Sequence, residues 1–185
     1  MNPIDIKYVD INTLVVPEWR ATYILRPDLM VLSASLQEFG FIQPIHVRQG
    51  TNEIIDGSER WLLATNVKSI MNKIEGKIPV VEHRLDSLES MMLHLQLNRG
   101  RGSLVAKPMS RVIRKLYISK KYDRKDFENL LCMKTDEADL MLDGGIIKAR
   151  KIHEHTYARA WVPIEAPSGT VDREPTIERP PNKDR

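Results

Sequence analysis

Glu53-Ile-Ile-Asp-Gly-Ser-Glu-Arg-Trp-Leu-Leu-Ala64 is the stretch on which the reading of this chain turns. Glu53 to Asp56 is a short apolar run, read as a strand. Gly57 ends it, and a helix starts at Ser58. Unpaired N–H groups at a helix start attract anions, and a glycine beside them lets a phosphate come close. Arg60, one turn in, adds a fork of donors suited to phosphate oxygens. Gly57, Ser58, Glu59 and Arg60 are therefore candidate phosphate-binding residues. The plainer reading is a common strand–turn–helix corner, with Gly57 as a turn residue and Arg60 solvated.

Working outward, Ile6 to Val16 reads as a first strand, followed by a loop from Pro17 to Pro27. A helix follows Pro27-Asp28, with Leu29, Leu32, Leu36 and Phe39 at helical spacing and Gly40 as its stop. Pro44–Gln49 and Glu53–Asp56 flank Gly50-Thr51-Asn52, the pattern of a hairpin. The helix from Ser58 is expected to reach about Asn72, and Lys77 to Arg84 is another strand. Strands and helices mix without a long βαβ repeat, so the fold class is α+β.

Four separated pieces then share an order and spacing. They are Gly40-Phe-Ile-Gln-Pro-Ile-His-Val-Arg48, the Gly57–Ala64 turn and helix, Ile78-Pro-Val80, and Leu97-Asn-Arg-Gly-Arg101. Together they resemble the N-terminal domain of the ParB family, within the ParB/sulfiredoxin superfamily, over about residues 8–105. The resemblance implies a small mixed domain that binds a nucleoside triphosphate, CTP or ATP, with or without Mg2+. It adds Asn98 and Arg101 to the phosphate-binding candidates. It implies duplex DNA as a partner, a homodimer as a second expectation, and a cytoplasmic setting. Three departures bear on chemistry. Glu59 stands where the family turn carries an arginine, Leu97 where it has a metal-holding glutamate, and Gly100 where it has a glutamine. Slow or absent triphosphate hydrolysis is the expectation, because a leucine side chain cannot ligate a metal. The sulfiredoxin branch uses a cysteine nucleophile in this loop; Ser58 holds that place here, which argues against its chemistry.

Beyond the strand at residue 84, the pattern becomes helical. Asp86-Ser-Leu-Glu89 is a capping-box signature. Met109, Val112, Ile113, Leu116 and Tyr117 repeat at the spacing of one buried helix face, with Pro108 in the first turn. Short helices are expected at about 124–132 and 135–142, and a last one from Ile146 to Tyr157. The pair has the rhythm of a helix-turn-helix. Its second member carries Asp136, Glu137 and Asp139, which suits a packing element better than a helix facing bases.

Charge is concentrated in the same region. The chain is only +3 overall, yet residues 99–125 hold ten basic residues against one acid, Asp123. Arg99, Lys107, Arg111, Arg114, Lys115 and Lys121 are the candidate DNA contacts, with the basic face of the helix near 108–121 set on backbone phosphates. The alternative is a solvated helix face.

Composition excludes several classes. No run approaches the eighteen apolar residues of a membrane span, and the N-terminus lacks a signal-peptide plan. One cysteine, Cys132, rules out an internal disulfide; its apolar neighbours suggest a buried packing role. His153 and His155 are wrongly spaced for one helix face, and no metal site is read. From Pro163 onward, prolines and charges replace apolar residues, which predicts disorder. The expected layout is a ParB-like α+β domain over 1–85, an all-helical domain over 86–160 and a tail over 161–185. The expected function is a nucleotide-responsive DNA-binding protein of phage or mobile-element type. Two alternatives stand beside it. One is a small phosphotransferase or nuclease using Asp56 and Glu59; the other is an inactive interaction module whose tail binds a partner.

Overall fold

The computed structural model describes residues 5–143 and two short strands, Thr156–Tyr157 and Pro163–Ile164. β1 (Ile6–Asp10) stops early, where the Asp10 carboxylate accepts the Asn12 N–H and starts a 3-10 turn over Ile11–Thr13. α1 (Arg26–Phe39) takes Pro27 in its first turn and ends at Gly40, whose φ of 74° suits a residue without a Cβ. β2 (Ile45–Arg48) and β3 (Glu53–Asp56) form the expected hairpin, with a bulge between His46 and Val47. β4 (Lys77–His83) runs antiparallel to β1 and parallel to β2. The sheet order is β1-β4-β2-β3.

The helix expected over 58–72 is two helices, α2 (Ser58–Asn66) and α3 (Lys68–Ile74). Thr65 and Asn66 direct their side chains onto the carbonyls of Trp61 and Leu62 at the end of α2. Such local bonds compete with helix continuation, and Val67 then turns extended and packs toward the core. One sheet face is covered by α1–α3 around buried Ile45, Val47, Ile54, Ile78 and Val80.

α4 (Ser87–Arg99) opens on the Asp86–Glu89 capping box. α5 (Ala106–Ile118) starts two residues before Pro108 and buries Met109, Val112, Ile113 and Leu116. α6 (Arg124–Leu130) and α7 (Thr135–Leu142) close a second core around Phe127 and Met141. That core is not made by helices alone, since Ala21 is buried in it and Trp19 packs against it. α4 also bonds directly to β3, through His94 Nδ1 on the Ile55 carbonyl at 2.7 Å.

Two further expectations change. Cys132 is exposed rather than buried, because the chain reverses there with a φ of 49° between α6 and α7. Tyr157 is not helical: β5 (Thr156–Tyr157) pairs antiparallel with β6 (Pro163–Ile164), Thr156 opposite Ile164 and Tyr157 opposite Pro163. Residues 144–155, with His153 and His155, and all the tail except Pro163–Ile164 lie outside the described residues. No described helix is long and apolar enough to cross a membrane.

Candidate phosphate and nucleic-acid site

Asp56, the last residue of β3, is the hub of the site; the sequence reading used it only in the phosphotransferase alternative and not among the phosphate-binding residues. It is buried, yet charged groups converge on it. Arg101 places one terminal nitrogen 2.9 Å from both carboxylate oxygens. Arg60 approaches from α2 at 3.4 Å, and Asn98 Nδ2 from α4 at 3.3 Å. Burial raises the Asp56 carboxyl, but the hydrogen bonds and charge of Arg101, then the charge of Arg60, outweigh it. The group is held below its ordinary value.

Gly57 is required by what lies over it. Its φ is 98°, and a Cβ there would meet the Arg60 guanidinium at 2.7 Å. Arg60 is anchored in that place by Gln43 Oε1 at 3.2 Å and the Pro44 carbonyl at 3.1 Å. Its Nε is buried and without a partner among the described residues. The glycine thus makes room first for an arginine of the chain itself. No side chain among the described residues caps α2, so the N–H groups of its first turn remain available to a ligand. Ser58 is buried. Glu59 turns its carboxylate toward Thr22 at 3.3 Å and Arg20 at 3.9 Å, leaving its backbone rather than its side chain for an anion. Arg101 is about half exposed, at 47%, so its remaining donors can reach solvent.

The linker from α4 to α5 carries Arg101 and is tied down on both sides. Ser103 Oγ donates to Asn98 Oδ1 at 3.1 Å, the Tyr23 N–H to the Ser103 carbonyl at 3.2 Å, and the Val105 N–H to the Ala21 carbonyl at 2.9 Å.

His94 was passed over in the sequence. It is buried on α4, donates from Nδ1 to the Ile55 carbonyl, and accepts the Ala21 N–H at Nε2 at 3.1 Å. Trp19 meets it edge-on at 5.3 Å. Both ring nitrogens are satisfied only in the neutral form. Burial pushes its pKa below 6.5, against the upward pull of the Ile55 hydrogen bond. Burial also lowers His46 and His83. The unfolded chain therefore binds these protons first. Stability is complete above about pH 6.5 and falls as the solution is acidified through that value. Asp56 acts in a separate window, contributing above its ordinary 3.8 and lost only below it. Urea midpoints should fall between pH 7 and pH 5, with a shallower fall in His94→Gln; a flat wild-type profile would contradict this account of the buried imidazoles.

The candidate DNA residues separate into two groups. Arg99 pairs with Glu137 at 2.7 Å, and Lys121 with Asp86 and, at 2.9 Å, Glu89. Arg124 pairs with Asp139 at 2.8 Å. These cations tie helices together: Glu137 and Asp139 of α7 take up Arg99 and Arg124, and the acids at the start of α4 take up Lys121. Lys107, Arg111, Arg114 and Lys115 are exposed on α5 and have no side-chain partner among the described residues. Among the described residues no three His, Cys, Asp or Glu side chains gather as a metal cluster.

No family model matches the chain, and no curated protein matches it. Solved structures do. Its structural neighbours are ParB proteins and ParB N-domains. One is the C-terminally truncated chromosome-partitioning protein ParB from Caulobacter crescentus complexed to the centromeric parS site. The identity is 18%, the TM-score 0.49, and the match covers 74% of this chain and 70% of that one. The same protein complexed with CTP-gamma-S matches at 19% identity and TM-score 0.43, over 75% of this chain and 77% of that one. A pNOB8-like ParB-N domain matches at 16% and 0.49, over 68% of this chain and 49% of that one.

Proposed function

We propose that this chain is a cytoplasmic, nucleotide-responsive DNA-binding protein. A nucleoside triphosphate would lie against the first turn of α2 and Arg101, and duplex backbone would lie along α5. One observation carries the reading. Gln43, Pro44, Arg60, Asn98 and Arg101, drawn from three of the separated sequence pieces, meet around Asp56 in one hydrogen-bonded cluster. An ordinary turn gives no reason for such convergence. Backbone donors at a helix start and a half-exposed arginine beside them are what a phosphate group needs.

The same cluster suggests how a nucleotide would be felt at the DNA surface. Arg101 is bonded to Asp56 and sits in the linker that leads directly into α5. A phosphate that drew Arg101 from Asp56 would shift that linker and the cationic helix after it. Asp56 and Glu59 are both engaged by arginines. Neither is poised as a free base, so the phosphotransferase alternative is second. Partnership with a second copy of the chain belongs to the proposal as well.

Calorimetric titration with CTP and ATP, with and without duplex DNA, tests the site. Arg101→Ala should weaken triphosphate binding about tenfold or more, the size expected from losing a charged hydrogen bond of ~1.5–3 kcal/mol. Arg60→Ala would also release Gln43 and Asp56, so Arg101 is the cleaner probe. Equal affinities for wild type and Arg101→Ala would remove this arginine from the binding site.

A further inference from the structure

His46 on β2 and His83 on β4 face each other with Nδ1 and Nε2 only 2.8 Å apart. Their rings are 26° from coplanar with centroids 5.1 Å apart, so the two nitrogens point at one another along a shared hydrogen. Each ring is partly buried, and the outer nitrogens, Nε2 of His46 and Nδ1 of His83, have no partner among the described residues. His46 stands directly opposite Asp56 in the β2–β3 register, so both side chains leave the sheet on one face. The pair therefore borders the cluster of Asp56, Arg60 and Arg101.

We propose that the His46–His83 pair is part of the anion site, taking up one proton when a phosphate ester binds and supplying a further positive charge to it. This rests on the phosphate site proposed above and adds to it a residue pair and a proton. The groups facing His46 are Asp56 from β3, Arg60 from α2, Arg101 from the linker after α4, and His83 itself. Arg48, two residues along the same strand face, is taken up by Glu53 at 2.9 Å. Two arginines and one carboxylate leave the neighbourhood net positive. Burial first, and for His46 the neighbouring positive charge after it, keep the empty pair neutral near pH 7. An incoming phosphate dianion reverses that balance. A proton then passes from solvent to the pair, giving one imidazolium that donates to the neutral ring. The internal hydrogen bond is kept, and no other bond is made or broken.

The test must separate the pair from the titration of the phosphate itself, which also changes charge near pH 6. CTP and inorganic pyrophosphate are titrated into wild type, His46→Asn and His83→Asn from pH 8 to pH 6. Ligand protonation cancels in the ratio of wild-type to variant affinity. That ratio should grow toward low pH, by up to about tenfold for each unit in the window where one proton is taken up. Histidine ring NMR of wild type at pH 7 gives a second reading that needs no variant to fold. The two imidazole signals should move toward the protonated form on adding either ligand. A flat ratio with unmoved ring signals, while Arg101→Ala still weakens binding, overturns the pair and leaves the phosphate site standing. No binding of either ligand at any pH overturns both.

Discussion

Asp56→Ala should lower the unfolding free energy by about 3–4 kcal/mol, the largest single effect expected in this chain. The carboxylate is buried, and its removal strands Arg60, whose side chain is only 12% exposed, beside Arg101. Most of the loss belongs to Arg60, because the half-exposed Arg101 can turn to water. Arg101→Ala alone should therefore cost only about 1 kcal/mol. In the double variant the two losses should sum to more than the measured total, since the side chains share one network. Asp56→Asn should lie between, since an amide oxygen can still accept from one guanidinium. It should also tighten phosphate binding, because a repelling charge is gone while both arginines remain. Lower stability with higher anion affinity is a pattern that simple loss of structure cannot produce. A urea midpoint for Asp56→Ala within the error of wild type would mean that the cluster is solvated and its pairs are weak.

Local chemistry made much of the fold legible. The Asp86–Glu89 capping box, the Gly40 stop and the turn at Gly50-Thr51-Asn52 are each written in a few adjacent residues, and the structure has them where they were expected. The split at Val67 was hidden because the side-chain bonds of Thr65 and Asn66 matter only at a helix end. The site was half legible. Gly57, Arg60, Asn98 and Arg101 were singled out, but as groups facing a ligand. In the structure Arg60, Asn98 and Arg101 face Asp56 first, and Gly57 lies under Arg60. An aspartate before a glycine looks like turn chemistry, and nothing local tells that two arginines from 4 and 45 residues away will find it. His94 and the His46–His83 pair were invisible for the same reason, since single histidines in apolar runs carry no spacing signal. Charge counting over residues 99–125 marked a basic segment but could not tell its paired cations from its unpaired ones. Pairing of Arg99, Lys121 and Arg124 depends on acids in other helices.

That sorting fixes the DNA prediction. Lys107, Arg111, Arg114 and Lys115 are the α5 cations without partners among the described residues. If all four meet phosphates, log affinity for duplex should fall against log salt with a slope near ~−3.6. Changing Arg111, Arg114 and Lys115 together to Glu leaves Lys107 alone, so the slope should flatten toward ~−1 and affinity at low salt should drop about a hundredfold or more. The fold should survive, because the buried face of α5 is Met109, Val112, Ile113 and Leu116 and none of the three lies on it. Arg124→Ala is the matched control. It removes the same kind of charge, but one committed to Asp139 and Glu128, so it should lower stability slightly and leave the salt slope unchanged. A protein that responded only to net charge would lose affinity with every cation removed, Arg124 included. One that binds through a defined face responds to α5 alone. Equal losses from Arg124→Ala and from any single α5 change would therefore place the attraction in the overall charge. No mobility shift for wild type at moderate salt, with or without nucleotide, would retire the DNA reading and bring the phosphotransferase alternative forward.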